Sequence, residues 1–228
     1  MNPSLQGILP VNKEKGRTAF YPVKLLRRLS GIRKVGHAGI LDPFATGVMV
    51  MLIGRKYTRR AHTFLNEDKE YVADIFIGTS TDTYDRCGTV TASCDRVPSP
   101  REVSDAIERF QGWIQQVPPM YSAKKIGGQK LHVLARQGVV LERKPSKIRL
   151  ALTILDYTYP RLVLRVRSSK GAYMRSLAHD IGQTLSTEAH LFELTRTRSG
   201  RFTLEQCIDQ AKLTDPGCDL TGYLCREV

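Results

Sequence analysis

A single carboxylate lies in an otherwise acid-free stretch of the sequence, KVGHAGILDPFATGVMVMLIG at residues 34–54. This residue is Asp42, and a carboxylate can act as a nucleophile or as a general acid or base. Pro43 favours an extended conformation of Asp42, and residues 48–53 are typical of a buried strand. Three glycines allow positive φ angles and close backbone approach: Gly36, Gly39 and Gly47. The pattern predicts a carboxylate held on a stiff loop, although an Asp-Pro pair alone is more typical of a turn or a helix N-cap.

The composition favours a globular protein with a polyanionic partner. The chain has 228 residues, 41% of them hydrophobic, which is enough for a proper core. Its 35 lysines and arginines exceed the 22 aspartates and glutamates, which gives a formal net charge of +13. The resulting electrostatic field favours nucleic acid as the first candidate partner and a membrane surface as the second.

The sequence also indicates a location and a redox state. No apolar stretch approaches the roughly 20 residues that a membrane span needs, and the N-terminus MNPSLQGILPV has no signal-peptide pattern. We therefore expect a cytoplasmic protein. The five cysteines are odd in number and form no CxxC pair, so free thiols are expected.

The periodicity of apolar residues predicts the elements that must position Asp42. Strands are predicted over residues 7–11, 48–53, 70–78, 150–160 and 162–168. Helices are predicted over residues 20–29, 99–110 and the second part of 169–185. Between them, a charged turn is expected at residues 12–16, and a basic hairpin with a short helix at residues 117–138.

Two pairs of polar residues could be mistaken for catalytic groups. Asp82 and Asp85 lie in the turn-rich segment TSTDTYDRCG, where carboxylates usually cap backbone groups. His179 and Asp180 are neighbours on a predicted helix, so their side chains point apart. We interpret both pairs as structural.

The segment GHAGILDPFATG closely resembles the GHxGxLDPxATG signature of the TruB family of tRNA pseudouridine synthases. Four later segments resemble family segments in the same order, so that the resemblance covers nearly the whole chain: TDTYDRCG, PPMYSAKKIGGQKLHVLARQG, SKGAYMRS and AHLFELTRTRSGR. The chain departs from the family where Asn12, Lys13 and Glu14 replace the usual Asp-Lys-Pro. It departs again at Ile40, where the family commonly has threonine.

The resemblance implies three catalytic residues. Asp42 would be the nucleophile, attacking either the ribose C1′ or the uracil C6. Arg175 would pair with this nucleophile, which must be ionised to act. Tyr71 would stack on the uracil and assist proton removal at C5.

The resemblance also implies residues that bind the substrate alongside Tyr71. Tyr173 would complete the aromatic wall, and Leu194 would line the uracil pocket, with the following arginines forming basic surface. His37 would pack into the gap left when the target uridine flips out of the T-loop. Lys124 and Lys130 would contact RNA phosphates.

The expected fold is the α+β pseudouridine synthase fold, a mixed, mainly antiparallel sheet flanked by helices with an RNA-binding cleft. One catalytic domain is expected over residues 1–228, with a helical tail from about residue 205 and no C-terminal PUA domain. The expected partner is the T-arm stem-loop of tRNA, bound by a monomer without a metal or cofactor. Two alternatives stay open: a non-catalytic tRNA-binding or folding chaperone, and a guide-RNA-dependent synthase subunit.

Overall fold

The computed structural model describes residues 5–122 and 124–227, except for the side chains of Lys125 and Lys130. Within this part, the chain divides into two compact units. The first unit contains the residues up to Tyr71 and those from Leu194 onwards, and the second contains Val72–Glu193. The expectation of a single catalytic domain stays a prediction.

The first unit is built around strands with an almost fully buried central member. Its elements are β1 (Gly7–Lys13), α1 (Tyr21–Ser30), β2 (Val35–His37), β3 (Thr46–Ile53), α2 (Arg55–Thr58), α3 (Ala61–Asn66), β13 (Phe202–Thr203) and β14 (Ile208–Asp209). Strand β3 runs antiparallel to both β1 and β2, and β1 runs parallel to β14. Because β3 is buried from Gly47 to Ile53, its sequence is an unbroken apolar run rather than an alternating one.

The second unit contains a sheet, two small hairpins and three helices. Its elements are β5 (Thr79–Thr81), β6 (Val90–Ser93), α4 (Pro100–Glu108), β7 (Gly112–Gln116), β8 (Lys125–Ile126), β9 (Gln129–Lys130), α5 (Leu131–Arg136), β10 (Ser146–Thr158), β11 (Arg161–Ser168) and α6 (Met174–Thr184). Two further strands, β4 (Lys69–Ile77) and β12 (Ala189–Ser199), begin in one unit and end in the other. Within the second unit the strand order is β4-β11-β10-β7, and β10 is antiparallel to both neighbours.

Local sequence signals explain the predicted helices. Helix α1 has Pro22 in its first turn and ends at Gly31, which adopts a left-handed φ of 67°. Helix α4 begins with the predicted capping box, in which Ser99 and Glu102 each bond the other's backbone N–H. Burial in β4 alternates strictly, as the sequence predicted for a strand with one buried face.

The predicted fold class is confirmed: the strand pairings are mixed and mainly antiparallel, and the described residues also form six α-helices. The sequence did not predict β2, β5, β6, β7, β12 or β13. The segment expected to be a helical tail contains β14 and three 3-10 helices, Leu204–Gln206, Gln210–Thr214 and Thr221–Tyr223. Across the described residues, no helix has the length and apolar content needed to cross a membrane.

Candidate active site

Asp42 lies on a tight turn between β2 and β3. The Asp42 carbonyl accepts a hydrogen bond from the Ala45 amide at 3.1 Å, and the Pro43 carbonyl accepts one from the Gly16 amide at 2.8 Å. Asp42 itself is partly exposed, and Ile40 next to it is exposed. The loop is therefore fixed through its backbone, and Asp42 is partly exposed.

Two of the three loop glycines adopt the positive φ that glycine allows. Gly39 has φ of 106° and Gly47 has φ of 101°, whereas Gly36 does not adopt a positive φ. A Cβ at Gly47 would lie 2.2 Å from the carbonyl oxygen of Arg196. Because such a contact is sterically impossible, only glycine fits where β3 runs beside β12.

Lys13 supports the loop through hydrogen bonds to its backbone. Its side chain is 0% exposed, and its ammonium donates hydrogen bonds to the carbonyls of Pro43 at 3.1 Å, Ala45 at 2.7 Å and Glu14 at 2.8 Å. Burial lowers the pKa of Lys13 to about 8, and the nearby charge of Asp42 partly offsets that effect. The prediction of a charged turn at Lys13 was wrong, because β1 continues through it and its charge satisfies buried carbonyls.

Arg196 holds the other side of the same loop. It is 1% exposed, and its Nε donates to the Val48 carbonyl at 2.7 Å while Nη2 donates to the Gly39 carbonyl at 3.2 Å. The prediction that the arginines after Leu194 form basic surface was wrong for Arg196. Strand alternation is the signal that would have identified it, because Leu194 and Arg196 are both buried in β12 and share one face.

The other predicted residues of the first unit are mostly buried. Tyr71 lies on the buried face of β4, and Leu194 is buried in β12. His37 ends β2, and its Nδ1 has no hydrogen-bond partner among the described residues. Burial, with a further effect of the Arg196 charge, lowers the pKa of His37 and so favours the neutral ring.

In the second unit, Tyr173 is held by a residue that the sequence did not single out. Gln116 is 2% exposed, and its side-chain oxygen accepts from the Tyr173 amide at 2.7 Å while its Nε2 donates to the Tyr173 carbonyl at 3.0 Å. Tyr173 is the N-cap residue of α6 and has no side-chain cap of its own. One amide side chain therefore bonds both backbone groups where α6 begins, and the Tyr173 carbonyl also accepts a helical hydrogen bond from the Leu177 amide at 3.1 Å.

Replacing Gln116 should affect turnover more than substrate binding. In Gln116→Leu the Tyr173 amide loses its bond to Gln116, while the Tyr173 carbonyl keeps the bond from the Leu177 amide. We therefore expect a loss of about 1 to 3 kcal/mol in the free energy of unfolding. If Tyr173 lines the uracil site, kcat should fall roughly 10- to 100-fold because the ring is misplaced. Single-turnover kinetics with a T-arm stem-loop measure this, with Gln115→Leu, the exposed neighbour on β7, as the control. An unchanged kcat in the folded variant would refute the positioning role.

Arg175 makes a buried ion pair within the second unit. Its Nε lies 3.6 Å from Asp85 Oδ2, and both side chains are buried. Its guanidinium also donates to the carbonyls of Thr83 at 3.2 Å and Tyr121 at 2.8 Å. The geometry places a fixed positive charge on the first turn of α6, and Arg175 pairing with Asp42 stays a prediction.

The two aspartates of the TDTYD segment cap backbone groups, as predicted. Asp82 Oδ1 accepts from the Thr89 amide at 2.8 Å, and Asp85 Oδ1 accepts from the Cys87 amide at 2.9 Å. Asp85 has a second role, the ion pair with Arg175, which the sequence could not indicate. Among the residues that the structure describes, no group of three or more His, Cys, Asp or Glu side chains is arranged to hold a metal ion.

The basic hairpin formed by β8 and β9 turns at Gly127 and Gly128, which adopt φ of 57° and 82°. Within residues 117–138, Met120, Leu131 and Leu134 form a small buried apolar cluster. Lys124 donates to Ser146 Oγ at 3.2 Å. The side chain of Lys130, the other predicted phosphate contact, lies outside the described part of the chain.

His179 and Asp180 have separate environments on α6. The His179 ring stacks on Tyr84, with the ring centroids 4.0 Å apart and the planes 7° from parallel. Burial lowers the pKa of His179 and raises the pKa of the Asp180 carboxyl to about 6. These environments agree with the structural interpretation of the pair.

The elevated pKa of Asp180 predicts a stability difference that depends on pH. Its folded-state pKa exceeds the unfolded value of 3.8, so ionising the carboxylate costs stability as the pH rises from about 4 to 6. We expect Asp180→Asn to be more stable than the parent chain at pH 8 by about 1 to 2 kcal/mol, allowing for solvent screening. Urea unfolding at several pH values should show this difference shrinking below pH 6. A less stable variant at pH 8 would contradict the desolvation argument.

Comparisons with known proteins agree with this fold. Residues 27–174 match the family model of TruB family pseudouridylate synthase (N terminal domain), and residues 175–218 match the tRNA pseudouridylate synthase B C-terminal domain. A tRNA pseudouridine synthase B of Chlamydia muridarum is 51% identical over 96% of this chain and 91% of its own length. Another, of Protochlamydia amoebophila, is 53% identical over 92% of this chain and 80% of its own length.

Solved structures give the same result for the fold. A chain from a crystal structure of a Cbf5-Nop10-Gar1 complex has a TM-score of 0.73 at 25% identity, covering 96% of this chain and 59% of that chain. A chain from an H/ACA RNP bound to a substrate RNA containing 2'-deoxyuridine has a TM-score of 0.67 at 25% identity, covering 91% of this chain and 52% of its own. From the two family models and the identities of about 50%, the chain belongs to the TruB family of pseudouridylate synthases.

Proposed function

We propose that this chain, acting as a monomer, isomerises a uridine in the T-loop of tRNA to pseudouridine. The observation that carries the proposal is the loop GHAGILDPFATG, whose one acidic residue, Asp42, is partly exposed while two buried cations hold the surrounding backbone. Relatives at about 50% identity that are tRNA pseudouridine synthases B support tRNA as the substrate.

The reaction needs only groups that the chain carries. The bond from C1′ to N1 of the uridine breaks, the uracil rotates, and a bond from C1′ to C5 forms while C5 loses its proton to a base and N1 gains one. No electrons are gained or lost overall, so no redox cofactor is required. Asp42 acts as the nucleophile, and whether it attacks C1′ or C6 stays open.

The remaining site residues have roles that follow from their chemistry. Tyr71 stacks on the uracil and assists removal of the C5 proton, while Tyr173 and Leu194 complete the apolar surface around the base. Arg175 supplies a fixed positive charge. His37 packs against the T-loop after the uridine flips, and burial, which lowers its pKa, disfavours a role in proton donation. Lys124 and Lys130 contact phosphates.

Release of a C5 label tests the proposal directly. A T-arm stem-loop carrying tritium at C5 of the T-loop uridine is incubated with the chain in buffer with EDTA and without nucleotide. We expect one tritium released per RNA and a pseudouridine in the product. A stem-loop labelled at a stem uridine is the control. Absence of release from the T-loop position under single-turnover conditions would overturn the proposal.

A further inference from the structure

One face of the second unit combines positive charge with an exposed tryptophan. Side chains alternate along β7, β10 and β11, so that one face is buried and contains Ile148, Leu150, Leu164 and Val166. The opposite face is exposed, and its polar, charged and aromatic positions, counted on β10 up to the β-bulge after Ile154, are Trp113, Gln115, Lys147, Arg149, Thr153, Arg165 and Arg167. We call this set the outer basic face.

Trp113 is at the centre of the argument because it is 61% exposed. It lies on β7, the last strand in the order β4-β11-β10-β7, directly opposite Arg149 of β10. The Lys147 ammonium lies 5.0 Å from the centroid of the Trp113 ring. A large aromatic side chain left in water beside two cations is typical of a binding surface rather than of a solvated sheet face.

On β10, the strand next to Trp113, the charged residues of the outer basic face are all positive up to the β-bulge. Before the β-bulge between Ile154 and Asp156, the exposed positions of β10 from Lys147 onwards are Lys147, Arg149, Ala151 and Thr153, and none is acidic. Asp156 follows only after the bulge. At the far side of β11 the carboxylate of Asp74 is already paired with Arg161 through two hydrogen bonds. The region around Trp113 therefore favours an anion.

This face is not the side of the sheet that holds Tyr173. Gln116, which bonds the Tyr173 backbone, is buried, whereas its neighbour Gln115 on β7 is exposed on the outer basic face. Since neighbouring side chains on a strand point to opposite faces, Trp113 and Tyr173 serve opposite faces of the sheet. A ligand on the outer basic face would therefore not be the flipped uridine.

We propose that the outer basic face binds a second segment of the tRNA, outside the T-arm, and this inference rests on the proposed function. An unpaired base stacks on Trp113, and the flanking phosphates contact Lys147 and Arg149. Single-stranded RNA fits because it offers a π-face and phosphates at adjacent positions, which is the pair of features that this surface presents. Charge alone would attract other polyanions but would not use the exposed ring of Trp113.

The chain's single tryptophan makes the proposal directly measurable. Trp113 fluorescence is recorded while the chain is titrated with full-length tRNA, the isolated T-arm stem-loop, or poly-glutamate, with correction for absorbance. We expect saturable quenching by tRNA and none by the other two. Quenching by the T-arm alone, equal quenching by poly-glutamate, or no quenching by saturating tRNA would each overturn the proposal.

Variants separate this surface from the catalytic function. Trp113→Ala, and Lys147→Ala with Arg149→Ala, should each raise KM for full-length tRNA about 10-fold, leave KM for the T-arm stem-loop unchanged, and leave kcat unchanged on both. Trp113→Phe should restore most of the loss. Arg101→Ala is the matched control, because this arginine of α4 is also highly exposed but does not belong to the outer basic face. If the T-arm itself is not modified, the proposed function fails while the fluorescence result still decides this inference.

Discussion

Asp42→Asn should abolish pseudouridine formation while leaving the fold and tRNA binding intact. Asparagine has nearly the same shape as aspartate but cannot attack carbon as a carboxylate does, so we expect kcat to fall by roughly 10⁴-fold or more. The loop should not collapse, because its contacts with Lys13 and Arg196 are made through backbone carbonyls. Tritium release from the T-arm stem-loop measures the loss, and thermal unfolding measures the fold.

The same variant separates the enzyme from the non-catalytic alternative. A tRNA-folding chaperone would bind and refold tRNA equally well with or without Asp42, and neither chain would release label. Asp105→Asn, at an exposed carboxylate on α4, is the control for a general loss of negative charge. Undiminished release by Asp42→Asn would remove the nucleophile assignment, and the carboxylate would revert to an ordinary turn residue.

Lys13→Met should impair both stability and turnover. Methionine fills a similar volume but leaves the carbonyls of Pro43, Ala45 and Glu14 without the ammonium that they now share. The Pro43 carbonyl keeps its bond from the Gly16 amide, but the Ala45 and Glu14 carbonyls lose the ammonium. Although removing a buried charge recovers desolvation energy, these lost bonds should outweigh it, and we expect a net loss of about 2 to 4 kcal/mol in the free energy of unfolding. If the loop shifts by about 1 Å, kcat should fall roughly 100-fold.

The chain offers a matched control in Lys69. Its ammonium is also buried and donates to three carbonyls, those of Phe64, Leu65 and Glu67, and burial likewise lowers its pKa to about 8. We therefore expect Lys69→Met to lower the free energy of unfolding by a comparable amount with little change in kcat. Both kcat values are measured under conditions in which both variants remain folded. Equal losses of kcat in the two variants would show that Lys13 acts through stability alone.

Local sequence signals were sufficient for the elements whose causes are local. Helix α4 could be predicted because its capping box lies within four residues, and β3 because an unbroken apolar run indicates burial on both faces. The two-residue period of β4 predicted its buried face. The turn at Asp42 and Pro43 also followed from adjacent residues, and the resemblance gave it a chemical role.

The sequence by itself determined the fold class, most of the long elements and the position of the candidate nucleophile. Only the tertiary structure decided what holds the site in place: Arg196 bonds Val48, which is 148 positions away, and Gln116 bonds Tyr173, which is 57 positions away. In each case the partner is a backbone group, which carries no side-chain signature in the sequence. In a sequence, charged and amide residues are typical of the protein surface. In the folded chain, buried carbonyl and N–H groups need hydrogen-bond partners, and such side chains can supply them. For this reason Lys13, Arg196 and Gln116 became apparent only when the chain was folded.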